Sequence, residues 1–96
     1  MFSIKHETEN NEHITKIETD KDYLVLYFSY KTLVGISFNH LVKCSINDWG
    51  NTTGKFLNKI EQDKNKRIPQ AEVLSFAMES LFKLGLGLKE HIIEQI

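Results

Sequence analysis

KDYLVLYFSYKTLVGISF, residues 21–38, decides the fold class. It holds two runs of β-branched and aromatic residues, and such runs favour β-strands. HITKIET at residues 13–19 precedes it and LVKCSI at residues 41–46 follows it, and turn-forming polar residues separate the runs. The segment therefore predicts an antiparallel meander of three or four strands.

Alternation along these strands assigns their side chains to faces. In the strand at 32–38, the predicted core face carries Thr32, Val34, Ile36 and Phe38. Gly35 lies inside this strand and predicts a bulge or a close backbone contact. The preceding strand is apolar on both faces, so its second face is predicted to stack on bases, to contact a protein or to be covered by helices.

The pattern changes from strand to helix after Asn47. A helix is predicted next, with Thr52 or Thr53 as its N-cap. Its apolar stripe runs from Phe56 to Ile60. The polar segment after this stripe ends the helix.

A second helix is predicted to begin at Pro69 and to end at Gly85 and Gly87, since glycine tolerates the left-handed conformation that terminates helices. Its apolar residues between Val73 and Leu84 sweep an arc of about 240°, which is wider than one sheet covers. Either another helix covers the rest of the arc or the helix faces a second subunit. A last short helix is predicted to follow, with apolar residues at Leu88, Ile92 and Ile96.

These elements predict an α+β fold, in which an antiparallel sheet of three or four N-terminal strands packs in two layers against two or three C-terminal helices. The length of 96 residues fits a single domain, residues 1–96. The chain is 41% hydrophobic and 26% charged, which is typical of globular proteins. It has no apolar run near the ~20 residues of a membrane helix and no secretory signal pattern. The single cysteine, Cys44, fits a reducing compartment, so a cytoplasmic location is expected.

DWGNTTGKFLNKI, residues 48–60, has some features of a phosphate-binding loop. A P-loop needs four residues between its glycines, so that backbone N–H groups wrap the phosphates, and a hydroxyl after the lysine to hold magnesium. Here three residues separate Gly50 from Gly54, and Phe56 occupies the hydroxyl position. The stretch therefore predicts a turn and a helix start, not a triphosphate site.

The remaining motifs of catalysis are also missing from the sequence. The four histidines lack the spacing of metal-binding motifs, and no serine lies in a nucleophile elbow. Cys44 shares a strand face with Val42 and Ile46, which predicts a buried residue. We therefore expect no catalytic residue, no metal and no cofactor.

Two sets of residues are candidate binding sites. The aromatic set is predicted to contact a partner protein: Tyr23, Tyr27, Trp49, Phe76 and Phe82. The second set comes from the segment 51–68, which has five basic residues against two acidic ones, and is predicted as an alternative to contact an anion or nucleic acid: Thr52, Thr53, Lys55, Lys59, Lys64, Lys66 and Arg67. Protein contact is favoured, because few basic residues flank the aromatic strand.

Tyr30-x-Thr32, followed by Asp48-Trp49-x-x-Thr52-Thr53-x-Lys55-x-x-Asn58-Lys59, resembles a short uncharacterised domain of bacteriophage and mobile-element proteins. That domain pairs a Y-x-T strand with a W-S-x-T-T-x-K-H-x-N-like turn and helix start. Gly50 stands here for the usual serine and Phe56 for the usual histidine. The resemblance implies a small phage-encoded protein of the host cytoplasm and no known activity.

The sequence thus favours a non-enzymatic effector that docks on a host protein, such as a defence or regulatory factor, and self-associates through the helix at 73–84. Hydrophobic and aromatic surface would supply the affinity. The alternative is a nucleic-acid-binding regulator that uses the basic residues at 52–67. A host protein and a second copy are the expected partners, nucleic acid is the alternative partner, and no membrane is expected.

Overall fold

The computed structural model describes residues 2–94, without the side chains of residues 87, 88 and 90–94. Its five strands form one antiparallel sheet in the order β1-β2-β3-β4-β5. Two α-helices follow, with a short 3-10 helix at Lys64–Lys66 between them. The bounds are β1 Ser3–Glu9, β2 Glu12–Glu18, β3 Tyr23–Ser29, β4 Thr32–Phe38, β5 Leu41–Cys44, α1 Asn51–Ile60 and α2 Gln70–Glu94.

The predicted α+β class and antiparallel meander are confirmed, but the sheet has five strands instead of three or four. The missed strand is β1, which pairs with β2 from Ser3 opposite Glu18 to Glu9 opposite Glu12. Ile4 is its one large aliphatic residue, and it is exposed. An edge strand that buries so little carries no alternating pattern, and its charged side chains protect the open edge against pairing with other chains.

The sheet is covered on both faces, which corrects the expected two-layer packing. α2 covers one face, with a buried cluster of Leu24, Ile36, Val73, Ala77 and Leu84. α1 covers the other face, where the cluster consists of Val34, Cys44, Phe56 and Leu57. The chain passes from one face to the other around the β5 edge, where Ile68 forms a parallel bridge with Ser45. The apolar character of both faces of β3 is thus explained by two helices.

A bulge in β4 separates residues that simple alternation had placed together. Tyr27 pairs with Gly35, but the next residue, Phe28, pairs with Leu33, so Val34 is an extra residue in β4. Val34 therefore joins the α1 cluster, whereas Leu33 and Ile36 both pack in the α2 cluster. The predicted bulge near Gly35 is confirmed, and the predicted core face is wrong at Val34.

Gly35 lies where α1 approaches the sheet closely. A Cβ at this position would lie 3.1 Å from Cδ1 and 3.2 Å from Cγ2 of Ile60, at the end of α1. We expect Gly35→Ala to destabilise the fold by about 1 kcal/mol, as overpacking does. Ile60→Val, which removes Cδ1, should recover part of that loss in the double variant. Urea unfolding of the four proteins measures the coupling, and strictly additive costs would contradict the contact.

The start of α1 differs from its prediction, because Gly50 is the N-cap and no side chain caps the helix. Thr52 and Thr53 lie in the first turn. Gly50 has φ 133°, a value that glycine tolerates best. Asn47 builds the turn: its Oδ1 accepts hydrogen bonds from the N–H groups of Trp49 and Gly50, and its Nδ2 donates to the Gly50 carbonyl oxygen.

The predicted end of the second helix is wrong, since α2 continues through Gly85 and Gly87 to Glu94. A glycine inside a helix costs about 1 kcal/mol relative to alanine, and the leucines that flank these glycines are good helix formers. The predicted last helix is therefore the end of α2, and its Ile96 lies outside the described residues. In the part of the chain described, no helix has the length and apolarity needed to span a membrane.

Candidate functional site

The five aromatic residues predicted to bind a partner do not form one surface. Tyr27 is half-buried and packs edge-on against Phe56, with ring centroids 6.1 Å apart, and burial raises the pKa of Tyr27. Tyr23 is half-buried beside His40. Phe76 packs against the α2 cluster with Lys43 Nζ over its ring. Trp49 and Phe82 are exposed, but they lie apart in the chain, at the turn before α1 and on α2.

A continuous apolar surface instead runs along the side of α2 that faces away from the sheet. We call it the α2 apolar face. Its members are Leu74 at 42% exposed, Met78 at 73%, Leu81 at 43%, Phe82 at 69% and Leu86 at 48%. The helix already buries Val73, Ala77, Ser80 and Leu84 against the sheet. At 100° per residue, the charged residues of this stretch lie outside the apolar sector: Glu72, Glu79 and Lys83.

Sequence reasoning predicted the wide apolar arc of α2 but assigned only Phe76 and Phe82 of this helix to binding. Phe76 turns out to belong to the core side, and Leu74, Met78, Leu81 and Leu86 were missed. Of the two explanations for the arc, the covering helix is wrong, because α1 lies on the opposite face of the sheet. The second-subunit explanation stays a prediction.

The second candidate surface is a basic groove of about 570 Å³ beside α1. Asn51, Lys55 and Asn58 face it from successive turns of the helix, and Lys64 and Arg67 face it from the chain after α1. Ile46, Asn47 and Gly54 complete the lining, so three cations and three amides are present without a carboxylate. Such a lining suits an anion with neighbouring hydrogen-bonding groups.

Arg67 is held rigidly at the end of this basic groove. Its Nη2 donates to Asn58 Oδ1 at 2.6 Å and to the Glu61 carbonyl oxygen at 3.0 Å, and its Nε donates to the same carbonyl at 3.2 Å. Because these bonds satisfy backbone at the C-terminus of α1, Arg67 has a structural role as a helix cap. Nη1 makes none of these bonds.

The other residues predicted to contact an anion lie outside the basic groove. Lys59 Nζ forms an ion pair with Glu12, at 3.0 and 3.2 Å from the two carboxylate oxygens. Thr53 is buried, and its hydroxyl lies 2.8 Å from Ser29 Oγ. Thr52 and Lys66 are exposed but do not line the groove. The structure therefore brings together Lys55, Lys64 and Arg67 from the predicted set.

The motif residues Tyr30, Thr32, Trp49, Thr52 and Thr53 meet in a separate cleft of about 290 Å³. Tyr30 is exposed in the turn between β3 and β4 and has φ 56°, an uncommon conformation for a bulky residue. The buried hydroxyl pair below the cleft ties α1 to the end of β3. For these five motif residues the structure thus gives a structural explanation, which is the attachment of the helix start to the β3–β4 turn.

The comparison with known families decides where this chain belongs. A family model matches residues 2–75, which is most of the chain and includes the whole sheet, α1 and the basic groove. The chain belongs to DUF8033, a family of unknown function. No curated protein and no solved structure matches it.

The DUF8033 match ends inside the first turns of α2. The cleft formed by the motif residues lies within the match, but most of the α2 apolar face, from Met78 onward, lies beyond it. The membership confirms the expectation of an uncharacterised domain family. It assigns no activity to either surface.

Cys44 of this DUF8033 protein is buried at 1% exposed, in the cluster under α1. Burial is the main cause that raises the pKa of its thiol to about 11; Glu61 adds to the increase, and Arg67 opposes it. The thiolate is therefore scarce at neutral pH, and with it the nucleophilic form. This placement confirms the prediction of a buried residue.

We expect the Cys44 thiol to resist alkylation at pH 8. We also expect its ionisation in alkali to lower the free energy of unfolding. Because its folded-state pKa lies above the unfolded value of 9.0, its contribution to stability is present below pH 9 and is lost as the pH rises towards 11. Iodoacetamide labelling with and without urea tests the first part, and unfolding curves of wild type and Cys44→Ala between pH 8 and 11 test the second. Equal labelling rates with and without urea would contradict the burial of the thiol.

The histidines are less separate than the sequence indicated. The β1–β2 register brings His6 and His13 together with stacked rings, and the Thr8 hydroxyl bonds to both. His6 also bonds to Thr15. Among the side chains that the structure describes, no group of three or more His, Cys, Asp or Glu is placed to hold a metal ion.

Proposed function

We propose that this chain is a non-enzymatic protein-binding effector that docks on another protein through the α2 apolar face. The observation that carries the proposal is the exposure of five large apolar side chains in one uncharged sector of α2. Isolated exposed leucines are ordinary, but a contiguous apolar surface of several hundred Å² on a small protein is typical of an interaction site.

The chemistry of the α2 apolar face supports a protein partner. Methionine and phenylalanine are enriched in interface cores, whereas charged residues are depleted there. Met78 and Phe82 are the most exposed members and lie on neighbouring turns of a helix that its other side anchors to the sheet. The partner element that fits a straight apolar stripe is an amphipathic helix or an apolar groove.

The rest of the proposal concerns the origin of the protein, its partner and its location. A phage origin and a host protein in the host cytoplasm are supported by the resemblance of the Tyr30 and Trp49 motifs to a domain of phage and mobile-element proteins. Catalysis is left out of the proposal because the single thiol is buried and protonated at neutral pH and because the sequence carries none of the common catalytic motifs.

The test compares two substitutions that each replace an exposed apolar side chain by glutamate. Met78→Glu lies on the α2 apolar face, whereas Leu41→Glu lies at the start of β5. The immobilised wild type and Leu41→Glu should retain the same host protein, and Met78→Glu should retain at least tenfold less of it, measured by quantitative mass spectrometry. Equal retention by Met78→Glu overturns the proposal. Far-ultraviolet circular dichroism checks that each variant folds.

Nucleic-acid binding is the second candidate function, and the carboxylate-free lining of the basic groove favours it. If its three cations each neutralise a phosphate, affinity for duplex DNA should fall about 40-fold between 50 and 200 mM salt. Fluorescence anisotropy with a labelled oligonucleotide measures this dependence. Lys55→Glu with Lys64→Glu should abolish binding, and Lys31→Glu, on the β3–β4 turn, should leave it unchanged. Absence of binding at 50 mM salt eliminates this candidate.

A further inference from the structure

We propose that the first occupant of the α2 apolar face is a second copy of this chain, whose α2 packs antiparallel against it. The inference rests on the proposed function, in that it takes the α2 apolar face as a protein contact surface and names its partner. Three features of the described part of α2 support it: the spacing of the apolar residues, the area they expose and the absence of a side chain at Gly85.

The spacing along the α2 apolar face is that of a helix–helix seam. Leu74, Met78, Leu81 and Gly85 follow one another at intervals of four, three and four residues, the pattern of a and d positions in a coiled coil. From Leu74 to Leu86 the face is about 18 Å long at 1.5 Å per residue. A second helix crossing at about 20° stays in contact over that length.

The exposed area suits a weak dimer. The exposed fractions of the five large side chains correspond to about 500 Å² of apolar surface per copy, so two copies would bury roughly 1,000 Å² before the polar rim is added. That value lies at the lower limit for specific interfaces. We therefore expect a reversible dimer that forms at micromolar concentrations and dissociates on dilution.

The layers of the seam favour the antiparallel orientation. With the twofold axis between residues 79 and 80, Met78 of each copy lies opposite Leu81 of the other, and Leu74 lies opposite Gly85. A parallel pair in register would set Gly85 beside Gly85, which would leave that end of the seam without side chains to fill it.

Gly85 fits the same arrangement. A Cβ on Gly85 would meet nothing within 4 Å in the isolated chain, so packing within one copy does not require glycine there. The twofold axis between residues 79 and 80 sets Gly85 opposite Leu74 of the second copy. The missing side chain leaves room for that leucine, as small residues do where helices approach closely.

Sedimentation velocity between 1 and 500 µM tests the dimer. Wild type and Leu41→Glu should sediment at twice the monomer mass of 11.2 kDa at the upper concentrations, and Met78→Glu should raise the dissociation constant at least tenfold. A monomeric wild type at 500 µM, or a dimer that Met78→Glu leaves intact, overturns the inference.

Cross-linking determines the orientation. Single-cysteine variants Leu74→Cys and Gly85→Cys are made in a Cys44→Ala background and oxidised separately and as a mixture. The antiparallel pair predicts a disulfide dimer in the mixture and little in either sample alone, whereas a parallel pair predicts the reverse and contradicts the inference. If the wild type is monomeric but retains a host protein that Met78→Glu loses, the proposed function stands without the inference; if it is monomeric and retains none, both fail.

Discussion

Phe56→Ala should lower the free energy of unfolding by about 3–5 kcal/mol, the largest effect we expect from any single truncation in this chain. Phe56 is 1% exposed, packs with Val34, Cys44 and Leu57, and meets the edge of the Tyr27 ring. Its removal leaves a cavity under a helix of only ten residues. Because small domains have about 5–15 kcal/mol of stability in total, the variant should be close to unfolding.

Urea unfolding monitored by circular dichroism measures this loss, and Lys55→Ala is its control. Lys55 precedes Phe56 on α1 and is exposed, so its truncation should change the free energy of unfolding by less than about 0.5 kcal/mol. A loss below 1 kcal/mol for Phe56→Ala would mean that α1 is not packed on the sheet as described.

Leu24→Ala should cost about 2–5 kcal/mol on the other face of the sheet, since Leu24 is fully buried in the α2 cluster. Double variants test the arrangement of the layers. Leu24→Ala and Ile36→Val share that cluster, so their costs should differ from the sum by about 0.5 kcal/mol or more. Leu24→Ala and Val34→Ala lie on opposite faces and should add within about 0.5 kcal/mol.

Guanidinium unfolding of the single and double variants gives these coupling energies. The comparison is sensitive to the β4 bulge, because without it Val34 and Ile36 would share a face and both would couple to Leu24. Coupling of Leu24 with Val34 as strong as with Ile36 would therefore show that the bulge is misplaced.

The fold could be predicted from the sequence where a face of each element is buried. The runs in β2 to β5 carry β-branched and aromatic residues, and the apolar stripe of α1 has helical spacing. β1 could not be found in this way, because a pairing held by backbone hydrogen bonds at an open edge leaves little trace in side-chain hydrophobicity. The face of Val34 was predicted wrongly because of the bulge, since one extra residue reverses the alternation beyond it.

The candidate sites were predicted less well, for two physical reasons. Basic residues near in sequence do not all face one site, because some have partners on distant elements: Lys59 is paired with Glu12 on β2, a contact that depends on the tertiary fold. Aromatic residues were weighted above aliphatic ones, so Leu74, Met78, Leu81 and Leu86 were not assigned to a binding site. The width of the apolar arc was the signal that pointed to an exposed face.

The meander topology has a consequence for how the chain folds. Each strand pairs with its neighbour in sequence, so each pairing closes a short loop and spends little chain entropy. We expect rapid collapse through successive hairpins, as in other proteins of low contact order. The bridge between Ser45 and Ile68 joins residues 23 positions apart. We therefore expect the packing of α2 on its face of the sheet to form last.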